Sequence, residues 1–240
     1  MLKQCIRQVL WALHLDLTQN LKYDRATQKA IRLILKPESN AIDVGAHKGE
    51  ILRQIALNAP KGQHLAIEPI PSMAERLKND FNDSNCRIEQ CAVSNYQGET
   101  TFQLVKNAPA YSGLKKRQYA VNTPDIEQIQ VQVRTLDSLW DMQRQLDFIK
   151  LDIEGGELHA LEGASTIIST FRPYVIFEFG KGSAEFYDST PEKMFAFFKS
   201  MRMCLEPLDK WNAHSKGLGL ASFKKHFDQK TAYYFIAFPC

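Results

Sequence analysis

No stretch of this chain approaches the run of about 18 apolar residues that a bilayer-spanning helix needs. Stable membrane insertion is therefore not expected. Cysteine is scarce: Cys5, Cys86, Cys91, Cys204 and Cys240 are scattered, odd in number and without a C-x-x-C pair. That pattern argues against a disulfide framework and a thiolate zinc site, and a reducing cytoplasm is the expected home. Neither charge dominates, since 30 basic residues face 27 acidic ones, and a net charge of +3 supplies no general field for nucleic acid. Lys3 and Arg7 precede an apolar stretch, but His14 and Asp16 interrupt it and no small-residue cleavage site follows, unlike a secretion signal. Repeats and low-complexity tracts are absent.

What remains is the composition of a globule, 44% hydrophobic and 24% charged over 240 residues, enough for one α/β domain. Ile6, Val9, Leu10, Leu13 and Leu17 fall at helical spacing and predict a helix over 3–17, whose apolar stripe suits core packing or a homodimer contact. A second helix is expected over 23–36, stopped by Pro37. Residues 1–36 would form a helical cap on a Rossmann-like domain of residues 37–240. From residue 40 onward, strands alternate with helices: strand 40–44, helix 48–58, strand 63–68, a helix from Pro71 to Phe81, and a strand over 87–93. That alternation is the mark of a parallel sheet. Thr100 to Val105 and Ile129 to Arg134 alternate as an antiparallel flap. Between them, the loop 106–127 is long enough to be either a substrate-binding segment or a disordered insertion. Its Lys115-Lys116-Arg117, like Lys224-Lys225, reads as solvated charge, and in functional terms as attraction for an anionic substrate.

Two segments carry chemistry. In Asp43-Val44-Gly45-Ala46-His47-Lys48-Gly49, an apolar strand enters a glycine turn and then a helix, an arrangement that points unpaired N–H groups at a ligand. The G-x-x-x-G spacing is not that of a dinucleotide fingerprint, and Asp43 would repel a pyrophosphate. It suits a ligand with an amino group and a sulfonium, which S-adenosylmethionine has. Glu68, ending the next strand, stands where a carboxylate can accept both ribose hydroxyls. The second segment, Leu146 to Leu158, places Lys150, Asp152 and Glu154 at period two on one side of a strand or at its mouth. Burying three charges without partners is costly, so they pair with one another or with a ligand. Gly155-Gly156 then opens a helix carrying Leu158, Leu161, Ala164, Ile167 and Ile168. A strand over 173–179, ending near Glu178, a helix over 191–200, a strand near Met203, a long loop through Trp211 and Gly219, and a strand from Tyr233 to Phe238 complete the chain.

These segments resemble the FkbM family of S-adenosylmethionine-dependent methyltransferases. The resemblance rests on Asp43 to Gly49, Ile67-Glu68-Pro69, Thr135-Leu136-Asp137-Ser138-Leu139, and Phe148 to Gly155 followed by Leu161-Glu162-Gly163-Ala164. It implies a doubly wound seven-stranded sheet of order 3-2-1-4-5-7-6 with the last strand antiparallel. It further implies that Asp43, Gly45 and Gly49 hold the methionine end of the cofactor, with Ala46 and His47 in the same cofactor-binding turn and His47 within reach of cofactor or acceptor, that Glu68 holds the ribose, and that Cys91, Ala92 and Val93 lie along the adenine. The acceptor does not carry over, because one fold serves many substrates.

Methyl transfer needs alignment and the removal of one proton. Asp152 and Glu154 are the candidates for base and for acceptor orientation, in an order the sequence leaves open. Lys150 is either a base with a depressed pKa or the cation that neutralises the two acids. A divalent metal shared by the two carboxylates is possible but not indicated, as no third ligand is evident. The expected activity is O-methylation of a sugar or small metabolite. The alternatives are N-methylation of a small amine and a non-catalytic cofactor-binding or interaction module; a nicotinamide oxidoreductase is disfavoured by Asp43 and the glycine spacing.

Overall fold

The computed structural model describes residues 19–117 and 123–240. The helix expected over 3–17, and the dimer contact assigned to it, lie outside the described residues. The chain begins with helix α1 (Gln19–Ile34) and continues through β1 (Ala41–Val44), α2 (Glu50–Asn58), β2 (His64–Ile67), α3 (Pro71–Asp80) and β3 (Cys86–Glu89). A short β4 (Ala92–Val93), β5 (Gly98–Val105) and β6 (Ile126–Arg134) lead to α4 (Leu136–Leu139) and β7 (Phe148–Leu151). The remainder is α5 (Glu157–Glu162), α6 (Ser165–Phe171), β8 (Tyr174–Glu178), α7 (Pro191–Ser200), β9 (Met203–Pro207), α8 (Leu220–Gln229) and β10 (Tyr234–Pro239).

Seven strands form one sheet in the order β3-β2-β1-β7-β8-β10-β9, which is the order 3-2-1-4-5-7-6. All neighbours are parallel except β10, which runs antiparallel to both β8 and β9. Alternation along the strands divides the core. Ile42, Val44, Ile149, Leu151 and Phe177 pack with Leu158, Ile168, Phe198 and Phe223 beneath α5–α8. Ala41, Phe148, Ile176 and Ile236 face Ile31 and Ile55 of α1 and α2. Period two sends Asp43 and Lys150 to this second face, in register with each other across β1 and β7.

Four local expectations are corrected. The strand read over 87–93 is two: after β3 the chain leaves the main sheet, and β4 pairs in parallel with β6, Ala92 opposite Val133, in a second sheet β4-β6-β5. The helix after Gly156 is broken at Gly163, where a Cβ would lie 2.2 Å from the Ser94 carbonyl oxygen. The segment read as a loop to Tyr233 contains α8, whose Phe223 and Phe227, four residues apart, are both buried. Finally, Cys204 and Cys240 form a disulfide, because antiparallel β9 and β10 bring together cysteines 36 residues apart in sequence.

Caps explain one family-like segment. The Thr135 side chain accepts from the Ser138 N–H and starts α4. Asp137 reaches further, accepting the N–H groups of Thr166 at 3.0 Å and Ile167 at 2.9 Å at the start of α6. The segment is thus a clamp between helices beneath the sheet.

Candidate active site

At the carboxyl ends of β1, β2 and β7 a cleft of about 220 Å³ opens, lined by Asp43, Gly45, Ala46, His47, Glu68, Lys150, Asp152 and Glu154 among others. Open α/β sheets bind ligands at this edge. Gly45 holds φ +75, and a Cβ there would meet the Asp152 carbonyl oxygen at 2.0 Å, so glycine is what lets the β1 turn lie against the end of β7. The turn's N–H groups are not free as expected. Those of Gly45 and Ala46 bond to the Ile67 carbonyl, and that of His47 bonds to Glu68 Oε2 at 2.9 Å. Recognition of a ligand therefore falls to side chains. Gly49, at the start of α2, stands apart from the cleft; a Cβ there would strike Leu77 and Phe81 at 2.8 Å, which makes it a packing position.

Asp43 is 1% exposed, and neither of its carboxylate oxygens has a hydrogen bond of good geometry, the Leu52 N–H at the start of α2 being the donor that acts on it. Burial pushes its pKa up to about 6 against the pull of Lys150. Glu68, also buried, accepts from the N–H groups of His47 and Ile70, and burial raises it too. Each of its oxygens keeps a lone pair for a further donor. His47 has φ 49 and lines the cleft, and burial, followed by Lys48, lowers its pKa, which favours the neutral ring.

Next to the main cleft is a narrow apolar slot lined by Val44, Ile67, Cys91, Ala92, Val93 and Phe102, with Leu114 and Tyr187 also contributing. The three residues 91–93 thus come together with the turn, although they belong to the flap sheet side rather than to the end of β3.

Across the sheet edge runs a polar row. Lys150 Nζ donates to Asp152 Oδ2 at 3.0 Å, and the Tyr234 hydroxyl donates to the same oxygen at 2.8 Å. Glu178, opposite Tyr234 in the β8–β10 register, also hydrogen-bonds Asp152. Burial alone would raise Asp152, but the Lys150 charge and these hydrogen bonds together hold it below the ordinary carboxylate value. Burial and the neighbouring Asp152 push Glu178 well above its usual value, so it stays protonated and is the donor to Asp152. Burial would lower Lys150, yet Asp152 and Asp43 outweigh it and the net direction is upward. Lys150 thus stands as a cation that balances its neighbours, and its surroundings do not depress its pKa as a base role would require.

Glu154 differs. Burial, then Asp152, raises it to about 8 despite an ion pair with Arg117. One carboxylate oxygen from each of Asp152, Glu154 and Glu178 lies within 4.8 Å of the other two, so Glu178 is the third carboxylate not evident in the sequence. Glu178 and Arg117 were visible there only as a strand end and a loop charge. Tyr234 gave no signal, since an aromatic in a terminal strand reads as core.

The family model described as the methyltransferase FkbM domain matches residues 43–206. No curated protein matches the chain. Among solved structures, methyltransferase FkbM from Methylobacillus flagellatus KT is similar at 17% identity and a TM-score of 0.52, over 85% of this chain and 44% of that one. The chain thus spans less than half the length of that structure, and at this identity the likeness is one of fold. A TehB-like SAM-dependent methyltransferase from Corynebacterium glutamicum ATCC 13032 Kitasato overlaps with 12% identity and a TM-score of 0.45, over 97% of this chain and 92% of that one. With a matched span that takes in the glycine turn, Glu68 and the Lys150–Glu154 segment, the chain belongs to the FkbM methyltransferase family.

Proposed function

We propose that the chain is an S-adenosylmethionine-dependent methyltransferase that methylates a hydroxyl of a sugar or small metabolite. The observation that carries this reading is the Asp43 carboxylate, buried in the cleft with no hydrogen bond of good geometry and only the Leu52 N–H and the Lys150 charge to offset its burial. A buried carboxylate so weakly partnered is costly, and an ammonium group meets that need. Glu68 supplies acceptors for ribose hydroxyls, and the slot at Cys91, Ala92 and Val93 offers apolar walls for a flat base. The cofactor would bring a methyl group already activated by a sulfonium.

The chain's own residues then align the acceptor and take one proton. Asp152 is held by three donors and keeps its negative charge, which suits it to orient a hydroxyl rather than to accept its proton. Glu154, whose proton affinity lies near neutrality, is the base. A cationic ligand in the cleft would act on Glu154 in the same direction as Arg117, favouring the ionised form that receives the hydroxyl proton.

Calorimetric titration with S-adenosylmethionine and S-adenosylhomocysteine tests the reading. Both should bind the wild-type protein, and Asp43→Asn should weaken S-adenosylmethionine by roughly 10-fold or more, the scale of a lost charge-assisted hydrogen bond. Equal affinity in the variant would refute the assignment of Asp43.

A further inference from the structure

Five residues between the two flap strands, 113–117, form a strap that runs from β5 past the apolar slot to Glu154 of the cleft. Its start is fixed by paired hydrogen bonds between Gly113 and Gln103 of β5. Its middle is fixed by the Lys115 N–H, which donates to the Tyr187 hydroxyl at 3.0 Å, while Leu114 closes the apolar slot. At its far end Arg117 lies 5.5 Å over the Tyr111 ring and pairs with Glu154. Both partners are withdrawn from water, the arginine side chain 8% and the glutamate side chain 17% exposed.

The other half of this contact is just as constrained. Glu154 has φ 65, a left-handed conformation that is unfavourable for a non-glycine residue. The turn around it leaves no alternative. Glu157 Oε1 accepts the N–H groups of Ile153 and Gly155, and a Cβ at Gly155 would meet the Ser183 carbonyl oxygen at 2.6 Å and Tyr187 at 2.9 Å. Backbone strain held by such surroundings belongs to sites where a side chain has to be aimed. Here the side chain is aimed at the strap.

We propose that Arg117 is a positioning residue for Glu154: delivered by the strap, it fixes this carboxylate in the cleft beside the acceptor and favours its anionic form. The proposal rests on the methyl-transfer reading of the cleft. The acids packed around Glu154 argue for the need. Asp152 of the β7 edge, Glu178 of β8 and Glu157 of α5 all work against ionisation of Glu154, the phenol of Tyr234 on β10 faces the same cluster, and Lys150 is already bonded to Asp152. Among the described residues, Arg117 is the cation that pairs with Glu154. Because the strap also carries Leu114, the segment that shapes the apolar slot is the one that prepares the base.

The test is a nuclear magnetic resonance titration of ¹³C-glutamate-labelled protein, with the Glu154 signal assigned by its loss in Glu154→Gln. In Arg117→Gln the Glu154 midpoint should rise by about one pH unit or more, and Arg117→Lys should restore most of the difference. An unchanged midpoint in folded Arg117→Gln overturns the proposal, as does an Arg117→Lys midpoint equal to that of Arg117→Gln. Should Arg117→Gln fail to fold, Arg117→Lys stands in against wild type: a Glu154 midpoint close to that of wild type supports the proposal, and one raised by about one pH unit or more overturns it. S-adenosylhomocysteine is titrated into the same samples. If wild-type protein fails to bind it, the cofactor reading falls while the midpoints still decide the role of Arg117.

Discussion

A buried carboxyl that keeps its proton to high pH leaves a mark on stability whose sign is fixed. Glu154 moves from an ordinary value of 4.5 to about 8 in the folded, ligand-free protein. The folded state therefore binds this proton more tightly than the unfolded chain, and its contribution is fully present below 4.5 and lost as pH rises through about 8. Asp43, raised to about 6, and Glu157, raised to about 7, act in the same direction over lower ranges. Thermal unfolding should show a melting temperature that falls between about pH 5 and about pH 8.5, with a shallower fall in Glu154→Gln. Equal slopes would mean that Glu154 titrates normally. The candidate residues were legible because charge at period two on an apolar strand is conspicuous. Their division of labour was not, since it depends on Tyr234 and Glu178 meeting Asp152 across the sheet, 82 and 26 residues away in the chain.

At the scale of elements, the structure relies on caps and close approaches more than on propensity. Replacing Asp137 by Ala removes the acceptor for two N–H groups at the start of α6. A loss of about 1–2 kcal/mol in urea unfolding is expected, with S-adenosylhomocysteine affinity unchanged. The core below α6 is remote from the cleft, so a large loss of affinity would show that the helix positions the site. The alternation of β1 through α3 was readable because each element has its own hydrophobic period and Pro71 marks a helix start. The split of β3 from β4 was not, because Ala92 and Val93 are apolar in either sheet and only their pairing with β6 decides. Gly163 is similar: its need for close contact with Ser94 exists only once both are in place.

For the whole molecule, the disulfide is the largest departure from expectation, and it removes the basis for inferring a reducing environment from cysteine spacing. Closing a loop of 36 residues stabilises a fold by about 2–4 kcal/mol. Unfolding by urea with and without dithiothreitol should differ by that amount, and the paired variant Cys204→Ser with Cys240→Ser should abolish the difference. Persistence of the difference in that variant would place the redox effect elsewhere. The overall strand order was implied by the family resemblance and is the one observed, because the parallel crossovers leave little topological freedom.

The antiparallel β10 sets the order in which this molecule can be assembled. Strands β8 and β9 precede it in the chain but never touch; β10 lies between them. A nascent chain leaving the ribosome can therefore complete the parallel half as it emerges, but has a β8 with an open edge and a β9 with nothing to pair with until β10 slides in. Tyr234, on that last strand to arrive, then brings its hydroxyl to Asp152. The polar row can thus be finished only by the same event that shuts the sheet, so a half-made molecule carries an exposed strand edge and lacks a complete site.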